Sequence, residues 1–241
     1  MLEMHQRVED VVAAFARGEL VVVTDDDDRE NEGDLFIAAS LCTPEKMAFI
    51  IRHTSGIVCA PLDADEARRL RLDPMVAAND APLGTAFTVS IDVRHGLTTG
   101  ISAEERTNTV RALANGNSGA NDFVRPGHVF PLVAKEGGVL MRSGHTEGCI
   151  DLCRLAGLPA VGVLSELMND DGTVMRGTSA VDEAMLTGES IPEAASVAPH
   201  PVGAPLTARR CMAYAGTSRS DRFPHPCEGR CWKSPTESRS P

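Results

Sequence analysis

Residues 20–39 read LVVVTDDDDRENEGDLFIAA. Leu20 to Val23 is a short, mostly β-branched run that reads as a buried strand, and Leu35 to Ala39 is a second apolar strand. Between them, Asp25 to Asp34 holds seven carboxylates and one cation, Arg29. A charge run is ordinarily a solvated face. Here Arg29, Asn31 and Gly33 interrupt the acids and apolar strands flank them. The loop is therefore read as oxygen ligands gathered for a hard divalent cation.

The same alternation of short apolar strands and helices continues outward. Val8 to Ala16 has helical apolar spacing, and Gly18 follows as a stop. Thr43-Pro44-Glu45 opens a helix to about Arg52, with Thr as N-cap and Pro at the first position. Ile57 to Ala60 is a strand, Asp63 to Leu70 a helix, and Phe87 to Val93 alternates as a strand does. Ser102-Ala103-Glu104-Glu105 is a capping box for a helix through Leu113. Val129 to Ala134 and Gly138 to Met141 read as strands, Thr146 to Ala156 as a helix, and Ala160 to Leu164 as a strand. Hairpin and crossover spacings both occur, so the expected class is α+β, a mixed sheet with helices packed on it.

Composition narrows the function. The 241 residues carry a net charge of -11, the wrong sign for a nucleic-acid or anionic-membrane binder. No apolar run approaches a membrane span, and the start MLEMHQRVED is no signal peptide, so a cytoplasmic protein is expected. Aromatics are only 4%, which leaves the core to aliphatic side chains. Seven irregularly spaced cysteines do not make a disulfide framework. Cys42, Cys59, Cys149 and Cys153 lie in or beside apolar runs and read as small buried hydrophobes. Cys211, His225, Cys227 and Cys231 lack the apolar surroundings of a zinc finger.

Three further polar clusters end apolar runs. Arg125-Pro126-Gly127-His128 precedes the strand from Val129, and a Pro-Gly turn there would hold His128 at the strand mouth as a general acid or base. Arg142-Ser143-Gly144-His145-Thr146-Glu147 joins a strand to a helix. A glycine-containing loop at a helix N-terminus suits phosphate, with His145 placed to ligate a metal. Ser165-Glu166 closes the strand from Ala160 with a candidate base. Acidic ligands, a phosphate loop, a His and a separate Glu together fit Mg²⁺-assisted enolisation of a sugar phosphate, the metal stabilising an enediolate.

The acidic run Asp25 to Leu35, Arg52 to Cys59 (RHTSGIVC), Thr98 to Ser102 (TTGIS), Arg125 to Leu132 (RPGHVFPL), Arg142 to Glu147, and Glu166-Leu167 with Asn169 to Thr173 resemble 3,4-dihydroxy-2-butanone 4-phosphate synthase of riboflavin biosynthesis. The resemblance is continuous from about Val8 to Met175. It implies a three-layer α+β fold and a homodimeric lyase using Mg²⁺ or Mn²⁺. Such enzymes convert D-ribulose 5-phosphate into L-3,4-dihydroxy-2-butanone 4-phosphate and formate by enolisation, dehydration, a skeletal shift and loss of C4. Carried over by motif, Glu30 and His145 are metal ligands. Arg29, Glu30, Asp34, Arg142, Ser143, Gly144, His145, Thr146 and Glu166 meet the substrate, and His128 and Glu166 move protons. The site is expected close to the dimer interface. Asp27, Gly148-Cys149 and Ser165 depart from common family residues without removing an assigned group.

Residues 1–176 carry all of this and the entire net charge, whereas residues 177–241 balance seven basic with seven acidic residues and hold eight of the 15 prolines. Family chains continue past Arg176 with a helix and a strand; this chain continues differently. Val181 to Pro192 (VDEAMLTGESIP) resembles an actuator loop of P-type cation ATPases. The chain lacks the phosphorylated Asp-Lys-Thr-Gly motif, so it is not read as an ATPase but as a fused or frameshifted end, disordered after about Ser190. The rival reading of the whole is an impaired remnant that binds metal and sugar phosphate weakly.

Overall fold

A computed structural model describes residues 2–25, 29–169 and 171–175, and the short strands 180–182, 193–194 and 218–219. Its elements run α1 (Leu2–Ala16), β1 (Val21–Thr24), β2 (Gly33–Ala38), α2 (Pro44–His53), β3 (Cys59–Leu62), α3 (Ala64–Arg69) and β4 (Ile91–Val93). They continue with α4 (Ala103–Leu113), β5 (Phe123–Val133), α5 (His145–Leu155) and β6 (Gly162–Glu166). The central sheet has the order β1-β2-β6-β3-β5-β4, with β3 and β5 parallel and every other pair antiparallel. A separate small sheet joins β7 (Ala180–Asp182), β8 (Glu193–Ala194) and β9 (Ser218–Arg219). Apart from β8 and β9, the stretch after Ser190 expected to be disordered lies outside the described residues, as do Cys211, His225, Cys227 and Cys231.

Strand alternation divides the side chains between two cores. Ile37, Ala60, Val129 and Val163 face Met47 and Ile50 of α2, Ala67 of α3, and Val110 and Leu113 of α4. Phe36, Ala38, Cys59, Leu132 and Leu164 face Ala14 and Phe15 of α1 and Cys149 and Cys153 of α5. This is the three-layer α+β arrangement expected, and its four described cysteines are free and buried. Among the described residues no helix is long and apolar enough to cross a membrane.

Local signals formed as read. Thr43 Oγ1 accepts from Lys46 N at 3.4 Å, and the Ser102–Glu105 capping box is closed in both directions. Gly18 ends the α1 turn at φ +78°.

Three expectations change. Gly138 to Met141 is no strand but a single 3-10 turn, Gly138–Leu140. Gly137 and Gly138 both take positive φ, and the Asp151 carboxylate accepts from Val139 N at 2.9 Å, which bends the chain onto α5. Of Phe87 to Val93, only Ile91–Val93 forms a strand; Phe87 and Thr88 make isolated bridges. His128 does not follow a turn at a strand mouth. Ile91 pairs with Val129 and Asp92 with Val124, so residues 125–128 bulge from within β5. Gly127 permits this, because a Cβ there would overlap the backbone of Ile91 and Asp92.

Candidate active site

The acidic loop is the connection of the β1–β2 hairpin, which closes at the pair Thr24–Gly33. Its shape comes from Asp25. One carboxylate oxygen accepts from Glu32 N at 2.9 Å, and the other from Arg29 Nη1 at 2.6 Å and Glu30 N at 3.2 Å. Burial pushes this carboxyl up, but the Glu32 N–H, Arg29 and His145 outweigh it and hold the acid below its ordinary range. Arg29 Nη1 also reaches Glu30 Oε2 at 2.6 Å and so bridges the two acids. Asp26 to Asp28 lie outside the described residues.

β2 carries Asp34 into the same place, 2% exposed and opposite Glu166 in the register. Burial first, then the charges of Glu166, Glu30, Glu32 and Asp25, push its carboxyl well above the ordinary value. Burial and Glu30 also raise Glu166. Two strand ends and one loop therefore crowd carboxylates together, and each added negative charge makes the next harder to hold.

α5 supplies the nitrogen. Gly144 is its N-cap and offers no capping side chain, so His145 and Thr146 open the helix with backbone N–H groups free for an anion. His145 is 8% exposed, and its Nδ1 lies 3.6 Å from Asp34 Oδ2 and 3.9 Å from Glu30 Oε2. Burial, with Arg29 and Arg142 opposing the acids, pushes its imidazole below the usual value, which favours the neutral, metal-binding form. Ligand atoms of Asp25, Glu30 and His145 all lie within 4.8 Å of one another. His145 Nε2 and Asp34 Oδ1 are buried without a hydrogen-bond partner. Carboxylate oxygen, imidazole nitrogen and two orphaned buried atoms suit a hard divalent cation.

The crowding sets a testable cost. In the unfolded chain Asp34 ionises in the ordinary range, whereas the folded protein holds its proton to higher pH. The native state thus binds more protons between these values, and stability falls as pH rises through that window. We expect Asp34→Asn to raise the melting temperature in EDTA at pH 8 but not at pH 4, while losing activity. Thermal melts showing no gain at pH 8 would refute the cost.

The structure brings Arg29, Glu30, Asp34, His145 and Glu166 together. Thr146 follows in the first turn of α5, and Ser143 is exposed on the loop before it. Arg142 is already committed: Nη1 pairs with Glu147 Oε2 at 2.6 Å, and Nη2 reaches Thr85 Oγ1 at 3.2 Å. His128 stands apart. β3 lies between its strand and that of Glu166, so the two backbones are roughly 10 Å apart, and its hydrogen bonds go to Asp92.

Sequence reading missed Asp25 as organiser of the loop and third candidate ligand, since it is one of seven similar acids. Asp92 carried no signal because its contact with His128 joins segments 36 residues apart, and the Arg142–Glu147 pair, five residues apart, carried none because spacing alone does not say which acid an arginine meets.

A model of the family 3,4-dihydroxy-2-butanone 4-phosphate synthase matches residues 9–196, past the Glu166 to Thr173 motif. A model of the P-type ATPase actuator domain matches residues 165–231. The chain is 57% identical over 169 residues to riboflavin biosynthesis protein RibBA of Salinispora arenicola, covering 70% of this chain and 40% of that protein. It is 53% identical over 178 residues to the 3,4-dihydroxy-2-butanone 4-phosphate synthase of Cupriavidus pinatubonensis, covering 74% of this chain and 80% of that one. A crystal structure of a 3,4-dihydroxy-2-butanone 4-phosphate synthase in complex with two magnesium ions superposes with a TM-score of 0.67. That structure is 52% identical, over 68% of this chain and 76% of its own.

Proposed function

From the membership of this chain in the 3,4-dihydroxy-2-butanone 4-phosphate synthase family, we propose that it converts D-ribulose 5-phosphate into L-3,4-dihydroxy-2-butanone 4-phosphate and formate. The observation that carries this is the convergence of the β1–β2 loop, the ends of β2 and β6, and the α5 N-terminus on one cluster of hard ligands. The chain spans only about two fifths of the RibBA relative. The activity proposed is that of the synthase part, residues 1–176, with residues 177–241 outside it.

Asp25, Glu30 and His145 would hold Mg²⁺ or Mn²⁺. When bound, the ion supplies positive charge beside the substrate carbonyl and its neighbouring hydroxyl. The remaining roles fall to the chain. The uncapped N–H groups of α5, with Ser143 and Thr146, receive the phosphate end. Glu166 is a base whose affinity for a proton is raised by burial and by Glu30, so it can take a proton from a substrate hydroxyl and return it. Asp34 resists ionisation and can hold a proton against a substrate hydroxyl. Arg29 bridges Asp25 and Glu30 and balances their charge when substrate is absent. His128 is the second proton carrier; its distance from Glu166 within one chain supports a homodimer in which a second copy completes the site.

The rival, an impaired remnant, is not favoured: both faces of the sheet are covered and every assigned residue lies in the described part. The test is Mg²⁺-dependent formate release from ribulose 5-phosphate. EDTA should stop it and Mg²⁺ or Mn²⁺ restore it. A folded dimer that releases no formate would overturn the assignment.

A further inference from the structure

The geometry points to Asp92 as the residue that positions His128 for proton transfer, by fixing which ring nitrogen carries the proton. This rests on the role proposed above for His128. Asp92 is 3% exposed in β4 and grips His128 at two points. Its Oδ1 accepts from the His128 backbone N–H at 2.9 Å, and its Oδ2 lies 2.7 Å from the imidazole Nδ1. A carboxylate can only accept, so Nδ1 must donate. The proton is thereby placed on Nδ1, and the lone pair of a neutral imidazole is left on Nε2, at the opposite side of a ring that is 39% exposed.

The surroundings are built for this pair. The bulge of β5 brings His128 back over β4, and Gly127 makes the close backbone approach. Gly100, at φ +83°, lies directly over the contact: a Cβ there would fall 2.7 Å from His128 Nδ1 and closer still to the Asp92 carboxylate. Water is thus kept from the buried side of the pair. The loop that holds Gly100 is fastened by Glu105, which accepts from Thr98 N at 2.6 Å, Thr98 Oγ1 at 2.8 Å and Thr99 N at 3.1 Å. Those donors hold the Glu105 carboxyl far below its usual range, so the clamp stays ionised. Arg106 on α4, buried and donating to Gly56 O at 3.0 Å, is a fixed cation within the field of Asp92.

Asp92→Asn separates this role from a structural one. Its carbonyl can still accept the His128 backbone N–H, but its NH₂ then faces Nδ1. That forces the proton to Nε2, the nitrogen that must be free to act as a base. We expect kcat for formate release to fall on the order of a hundredfold or more, with KM within about threefold. Nitrogen-15 NMR of histidine-labelled protein should show Nδ1–H on neutral His128 in the wild type and Nε2–H in the variant. In a His128→Gln background, Asp92→Asn should add no further loss.

The inference is overturned if wild-type His128 carries its neutral proton on Nε2, a measurement that needs no variant. It is also overturned if Asp92→Asn keeps the wild-type tautomer, or if the two losses simply multiply. His128→Gln that retains full turnover would remove the proton-transfer role itself. An inactive His128→Gln beside an undiminished Asp92→Asn would remove only the positioning role.

Discussion

Glu30→Gln is expected to leave a folded protein whose formate release falls below detection, and His145→Ala to do the same. The first change is nearly isosteric, so it tests charge and not space. Glu30 contributes one ligand atom to the cluster with Asp25 and His145, and it shares Arg29 with Asp25 at 2.6 Å. Removing its charge leaves Arg29 closer to neutralising Asp25 alone and weakens the pull on a divalent ion. The His145 imidazole packs edge-on against Phe36 with ring centroids 5.9 Å apart, so its position is set by the core. Partners one layer out from a metal typically cost roughly 10- to 100-fold when lost, and a direct ligand should cost more. Calorimetry with Mg²⁺ alone provides a readout apart from activity: both variants should lose the binding isotherm. Near-normal turnover of Glu30→Gln at saturating Mg²⁺ would place the ion elsewhere.

Glu147→Ala should be the most destabilising single change at the site. Glu147 is 1% exposed in the first turn of α5 and holds Arg142 Nη1 at 2.6 Å and Lys135 N at 2.8 Å. Its loss leaves a half-buried guanidinium and a backbone N–H without their acceptor. Breaking a buried pair from one side costs about 3–5 kcal/mol, on the order of a 10 °C drop in melting temperature for a protein of this size. Arg142→Ala should weaken substrate binding more than turnover, because its pair with Glu147 braces the loop that receives a phosphate that does not react. Combining both substitutions should recover part of the stability, since neither charge is then stranded. A melting temperature for Glu147→Ala within 2 °C of the wild type would show that the pair is solvated.

Short-range determinants are legible in the residue order itself. The capping box at Ser102, the Thr43-Pro44 helix start and the Gly18 stop act within one turn, so spacing alone reveals them. The Gly138 segment shows the limit: two glycines and two apolar residues suit a strand or a turn equally, and Asp151, far along the chain, decides for the turn. The Arg125 to His128 segment shows it again. Pro and Gly announce a break, but whether the break ends a strand or bulges from it depends on register with β4.

By itself, then, the sequence determined the α+β class, the acidic loop between two apolar strands, the phosphate-type loop before α5, and the residue types of a metal-dependent sugar-phosphate site. These are properties of local composition and of order along the chain. Only the tertiary structure decided that Asp25 organises the loop, that Glu147 occupies Arg142, and that Asp92 beneath Gly100 holds His128. The first two are settled within one loop and one helix start, where several similar acids compete for each donor, and the third joins β4 to the bulge of β5 where Gly100 and Gly127 leave room. Such pairings depend on register and packing, which no stretch of chain encodes alone.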